Sequence, residues 1–143
     1  MKSLALSWQF WALLSATFAA MTAIFAKLGV DNVSPDFATF LRTIIVLVSL
    51  AFILTLLGEW QGLRDISPRS YLFLILSGLG TGASWLCYFR AMKLGEASRV
   101  APLDKLSVVL VALIGAAFLG EKLSGLNWLG VALITAGAVL LAI

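Results

Sequence analysis

Five long runs of apolar residues, separated by short polar stretches, dominate the pattern along this chain. A helix needs about 20 apolar residues to cross the roughly 30 Å hydrocarbon core of a membrane. The pattern therefore predicts an all-α, polytopic integral membrane protein, with one membrane domain of five transmembrane helices over residues 1–143. The predicted helices are Trp8 to Leu28, Phe37 to Leu57, Tyr71 to Met92, Val100 to Leu119 and Leu126 to Ile143.

The fourth run is the least regular, because Asp104 and Lys105 interrupt it about a third of the way along. Without its first residues, only the 14 positions from Leu106 to Leu119 are continuously apolar, which is short for a span. An alternative with four spanning helices would make this segment re-entrant. We predict five spans, with the fourth and fifth antiparallel because only the short turn 120–125 separates them.

The amino-acid composition agrees with a protein whose main partner is the lipid bilayer that surrounds it. Apolar residues make up 62% of the chain and charged residues 12%, against about 25% charged in soluble domains. The ten basic residues are scattered singly, so the net charge of +3 does not predict nucleic-acid binding. The first run is longer than a signal-peptide core and four more follow, which predicts a retained helix in a multi-pass protein of the inner (plasma) membrane.

Residue types limit the chemistry that the chain can support. Histidine is absent and Cys87 is the single cysteine, which argues against zinc, haem and Ser-His-Asp sites. Acid/base pairs are also hard to assemble, because Asp104 is the one carboxylate predicted inside a span. We therefore expect no metal, no cofactor and no enzymatic activity.

The balance of positive charge leaves the orientation in the membrane open. Lysine and arginine near span ends normally mark the cytoplasmic side, and here the two sides carry four each when Arg42 and Lys105 are left out as too deep in the spans. Insertion in both orientations would give an antiparallel homodimer, which builds from one short chain the inverted repeat of longer transporters. A single fixed orientation is the equal alternative. The counted residues are Lys2, Arg64, Arg69 and Lys122 on the N-terminal side, and Lys27, Arg90, Lys93 and Arg99 on the other.

Charged residues inside the predicted spans are the candidates for transport, because such charges are costly and usually face the bundle interior. Arg42 and Asp104 share a membrane face, and we take them as a candidate gate or substrate-binding pair, with Lys105 beside it. Asp104 is then the candidate proton acceptor. The alternative is that Arg42 and Lys105 snorkel to headgroups while Asp104 caps a frayed helix start. Trp85 and Tyr88, in the middle of the third helix, can line a cavity for organic solutes, including cations, or simply pack.

Small residues at a spacing of four predict where helices approach each other closely. Gly78 and Gly82 form one such pair, and Ala112 and Ala116 form another. Close backbone approach at small residues drives helix association in lipid. We interpret both pairs as helix packing, with a glycine-lined solute path in the third helix as the alternative.

Three stretches resemble the EamA-like domain of the drug/metabolite transporter superfamily. Residues 118–143, with a Leu-Gly-Glu turn and a glycine-bearing last helix, are similar to the end of that domain. Residues 88–113 resemble its third-to-fourth helix junction, and residues 24–44 its first-to-second junction. Ser107 stands where the family often has proline.

This resemblance implies a secondary transporter or exporter of small metabolites, in which most relatives carry two inverted five-helix units. The chain has one unit, like the five-helix bacterial and archaeal subgroup. The resemblance assigns no substrate residue. The competing hypothesis is a membrane scaffold or regulatory subunit that transports nothing itself.

Overall fold

Every regular element in the described part of the chain, residues 7–143 of the computed structural model, is helical. Five segments in this range are long and apolar enough to cross a membrane, and α4 and α5 together form the fourth. The predicted all-α fold with five spans is therefore confirmed. The elements are α1 Trp8–Gly29, α2 Pro35–Leu57, a 3₁₀ turn Leu63–Asp65, α3 Pro68–Leu94, α4 Ala97–Asp104, α5 Ser107–Phe118 and α6 Gly125–Ala142. Lys2, used in the charge comparison, lies outside the described residues.

Local capping explains where the helices begin and end. The Ser34 hydroxyl accepts the N–H of Phe37 at 3.3 Å, and Pro35 occupies the first turn, where its missing N–H costs nothing. This places the start of α2 two residues before the predicted one. Gly58 closes α2 in the left-handed conformation, at φ +66°, which glycine adopts without a steric cost. Ser124 caps α6 in the same way as Ser34 caps α2.

The fourth span differs from the continuous helix that was predicted for it. Pro102 lies inside α4 and removes one donor from the helical ladder. Within a turn of it the hydrogen bonds shorten to the i→i−3 type, as the Leu106 N–H donates to the Leu103 carbonyl at 3.1 Å. The helix resumes at Ser107. The span is thus broken beside its charged residues, and discontinuous spans of this kind often mark sites in transporters.

The chain divides into two compact units. One unit combines α1 with residues 94–143, and in it α6 packs against α4 and α5. The other unit covers residues 29–93 and contains α2 and α3. Large apolar side chains remain exposed along the spans of both units, as with Leu47 at 66% and Leu140 at 74%. Such exposure is unfavourable in water and suits a surface that lipid covers.

The turn between α5 and α6 depends on two glycines. Gly120 has φ +70°, and the N–H groups of Leu119 and Glu121 both donate to the Gly115 carbonyl at 3.1 Å. The Glu121 carboxylate folds over Gly115, since a Cβ built there would lie 2.7 Å from its Oε2. The Leu-Gly-Glu sequence therefore forms a turn that needs a positive φ at its centre.

Replacing Gly120 by alanine should destabilise the protein by about 1 kcal/mol, because an L-residue is strained in the left-handed region. Gly137→Ala is the matched control, since Gly137 lies within α6 and nothing lies within 4 Å of a Cβ built there. Thermal unfolding in detergent, followed by tryptophan fluorescence, should show a lower midpoint for Gly120→Ala alone. Equal midpoints for the two variants would contradict this account of the turn.

Candidate functional site

Three contacts made by long side chains connect α2, and the loop before it, to α3. These contacts define the candidate site. Residues further along α2 contact residues earlier in α3, which is the pattern of antiparallel neighbouring helices. The contacts are the Lys93 ammonium to the Val33 carbonyl at 2.9 Å, Arg90 to Asp36 at 2.9 Å, and the Arg42 guanidinium over the Trp85 ring at 4.2 Å.

The Asp36–Arg90 pair engages both oxygens of the carboxylate. Arg90 donates from Nε to Oδ1 at 3.1 Å and from Nη2 to Oδ2 at 2.9 Å. Such a bidentate fork, with two parallel N–H···O bonds, fixes the relative orientation of the two side chains as well as strengthening their interaction. Both side chains are 59% accessible in the bare chain, so the pair contributes more to register than to stability.

Arg42 lies deeper in α2, against an aromatic surface of α3. Its guanidinium carbon is 4.2 Å from the centroid of the Trp85 ring and 5.7 Å from that of Phe89. Trp85 and Phe89 are one helical turn apart and so share a face of α3. Tyr88 extends this surface through an edge contact with Phe89, with 6.5 Å between the ring centroids. The predicted candidates Arg42 and Trp85 are thus in direct contact, and Tyr88 is adjacent.

The aromatic contact does not neutralise Arg42. An arginine at the centre of a span costs about 2.5–3.5 kcal/mol on insertion scales, and Arg42 lies about a third of the way along α2, Pro35–Leu57. A cation–π contact returns about 0.5–2 kcal/mol. Asp36 is the one carboxylate in the sequences of α2 and α3, and Arg90 already occupies both of its oxygens. Within its own unit, residues 29–93, Arg42 makes no hydrogen bond or ion pair through its side chain, and its contacts there are with aromatic rings. Its N–H donors therefore have no acceptor within that unit.

Asp104 and Lys105 lie at the break in the fourth span, with Lys105 Nζ 3.6 Å from Asp104 Oδ2. They belong to the unit that contains α4, whereas Arg42 belongs to the unit of α2 and α3. The pairing of Arg42 with Asp104 stays a prediction, as does the role of Asp104 in proton coupling.

The small-residue pairs lie in different surroundings. A Cβ built on Gly78 or Gly82 meets nothing within 4 Å, so the described chain supplies no neighbour at that pair. Ala112 and Ala116 are half-buried on α5. Helix packing at both pairs stays a prediction.

Two further features were missed from the sequence alone. Arg90 entered the sequence analysis only as a charge near a span end, and Asp36 was not a candidate, although an acid at one helix start facing a base near the next helix end signals an antiparallel pair. In the other unit, the Lys27 ammonium donates to the Gly95 carbonyl at 2.9 Å, which ties α1 to the loop before α4. Residues 7–143 contain no group of three or more acidic, cysteine or histidine side chains able to hold a metal ion.

Comparison with known proteins identifies the family of this fold. The model of the EamA-like transporter family matches residues 6–143. A Sinorhizobium protein named "Uncharacterized transporter in cobO 3'region" is 64% identical over 137 residues, which cover 96% of this chain and 97% of that protein. "Uncharacterized transporter YxxF" of Bacillus subtilis (strain 168) is 26% identical over 132 residues, which cover 91% of this chain but only 40% of that protein. No solved structure matches. The resemblance seen in the sequence is confirmed, and the chain belongs to the EamA-like transporter family.

Proposed function

We propose that this protein is a secondary transporter or exporter of small organic metabolites in the inner (plasma) membrane, acting as an antiparallel homodimer. Its membership of a transporter family and its five membrane-spanning segments support transport over a purely structural role. The main observation in favour of the dimer is that one relative has the length of a single unit whereas another is much longer.

The lengths of the relatives support a dimer of single units. The Sinorhizobium relative is matched over 97% of its length and so has the size of one unit. The Bacillus relative is matched over only 40% of its length, which leaves room in the same chain for a second unit of equal size. In the shorter proteins, a second copy of the chain would supply that unit.

The charge balance supports an inverted arrangement of the two copies. Four basic residues flank the spans on each side, so neither side is favoured by the positive-inside rule. Two oppositely inserted copies would be related by a twofold axis in the membrane plane, as inverted repeats are in longer transporters.

The polar chemistry within the spans supports a solute pathway. Ionisable residues inside a membrane usually mark substrate or ion routes, and both Arg42 and Asp104 lie inside spans of the described chain. In this proposal Arg42 and Trp85 contact the solute, and Asp104, at the broken fourth span, links its movement to protons.

Purified protein in liposomes should move organic solutes without any partner protein, and an imposed proton gradient should drive the movement. Asp104→Asn should remove the response to the gradient, because an amide cannot carry the proton. Asp31→Asn, in the exposed loop after α1, is the matched control and should keep the response. A scaffold or regulatory subunit would show no flux, and a gradient response that survives Asp104→Asn would exclude the proton role.

Insertion of the chain in both orientations can be measured with reporter proteins fused to the C-terminus. Alkaline phosphatase, active outside the cytoplasm, and green fluorescent protein, active inside it, should both give strong signals. Adding positive charge by Glu59→Lys and Gln61→Lys, in the loop after α2, should shift the population toward the orientation that keeps this loop in the cytoplasm. Strong signal from one reporter alone in the unmodified protein would contradict the antiparallel dimer.

A further inference from the structure

We propose that Arg42, held in place by Trp85, binds the carboxylate end of the transported solute, so that the substrate class is small organic anions. This inference rests on the proposed transport function and names the chemistry of its site. It follows from the charge around Arg42, the contact that Trp85 already makes, and the hydrogen-bonding capacity of the guanidinium.

The positive charge of Arg42, with no acidic group beside it in its unit, favours binding of an anion. On α2 and α3, the carboxylate of Asp36 is the single acidic group, and Arg90 holds both of its oxygens, at 3.1 and 2.9 Å. Arg42 is half-buried in the span and has no acidic partner within its own unit, residues 29–93. An anion that leaves water to enter the membrane loses its hydration, and a fixed cation in the span replaces part of it.

The contact of Trp85 argues against a cationic solute. An aromatic face in a cavity attracts cations, which is why cations were among the solutes expected from the sequence. Here the face of Trp85 already carries the Arg42 guanidinium, at 4.2 Å. A second cation on the same surface would be repelled by Arg42 at short range and with little screening. The aromatic surface therefore serves to hold the arginine.

The guanidinium is suited to a carboxylate. Arginine carries five N–H donors in a planar fork that matches two carboxylate oxygens, and none of the donors of Arg42 is used within its own unit, residues 29–93. Contact with Trp85 limits the positions that the fork can take. The rings of Phe89 and Tyr88, adjacent along α3, offer an apolar surface for the organic part of the solute.

Binding of three matched probes to the detergent-purified full chain tests this inference by calorimetry. The probes are benzoate, neutral benzamide and cationic benzylammonium, which share a ring and differ in charge. Benzoate should bind about tenfold more tightly than the other two, because a charge-assisted fork is stronger than a neutral hydrogen bond.

Variants assign the preference to the site. Arg42→Gln should weaken benzoate binding about tenfold, and Trp85→Leu should weaken it about threefold or more by releasing the guanidinium. Arg69→Gln is the matched control, because Arg69 also contacts a ring of α3, at 5.9 Å from the Phe73 centroid, but at the start of the helix. It should leave benzoate binding unchanged.

Arg42→Lys keeps the inference testable if Arg42→Gln does not give a monodisperse protein. Lysine retains the charge without the planar fork, so benzoate binding should fall about threefold or more. Unchanged benzoate binding in Arg42→Gln or in Arg42→Lys would overturn the inference. A wild-type protein that binds benzoate no better than benzamide would also overturn it.

The binding assay separates failure of this inference from failure of the proposed function. Liposomes that move neutral or cationic solutes, with no preference for benzoate in binding, would reject the anion site and retain the transporter. Benzoate binding that depends on Arg42, with no flux of any solute, would retain the site and reject the transporter.

Discussion

The cost of holding a cation in a membrane span is the constraint on which the candidate site depends. Apolar spans tolerate a charge only when something compensates it, and the unit of α2 and α3 compensates Arg90 and Arg42 differently. Arg90 has the carboxylate of Asp36, whereas Arg42 has the faces of Trp85 and Phe89. The aromatic contact keeps the cation in place without neutralising it, which leaves Arg42 available to an anion. The antiparallel register of the hairpin, fixed in part by the Asp36–Arg90 fork, brings Arg42 and Trp85 together.

The second unit contributes a different element of a transporter. Its fourth span is interrupted after Pro102, and Asp104 and Lys105 lie at the interruption. At the interruption the backbone stays hydrogen-bonded, because N–H groups such as those of Leu106 and Val108 donate to the carbonyls three residues earlier. Each unit thus holds charge inside a span: Arg42, without an acidic partner in its own unit, and the Asp104–Lys105 pair at the interruption.

The five spans could be predicted because a run of about 20 apolar residues is a direct signature of a membrane helix. Their ends moved by two or three residues where Pro35 and Pro68 begin helices, since proline is favoured in a first turn. The break in the fourth span was not predicted, because the apolar pattern does not specify where the backbone changes to i→i−3 hydrogen bonds. Arg42 and Trp85 were both predicted as candidates from depth alone. The contact between them could not be predicted, because it depends on the register between two helices, which apolar periodicity does not specify. The relation of Arg42 to Asp104 stays a prediction.

Solid-state NMR on the protein in lipid bilayers tests the central claim, that Arg42 is the anion site, most directly. The protein would carry ¹⁵N-labelled arginine and the added benzoate a ¹³C-labelled carboxylate, with Arg42→Lys used to assign the Arg42 signals. The account predicts a dipolar coupling that corresponds to about 4 Å between the carboxylate carbon and an Arg42 guanidinium nitrogen, as expected for hydrogen-bonded groups. Coupling of benzoate to other arginines, with none to Arg42, would contradict it.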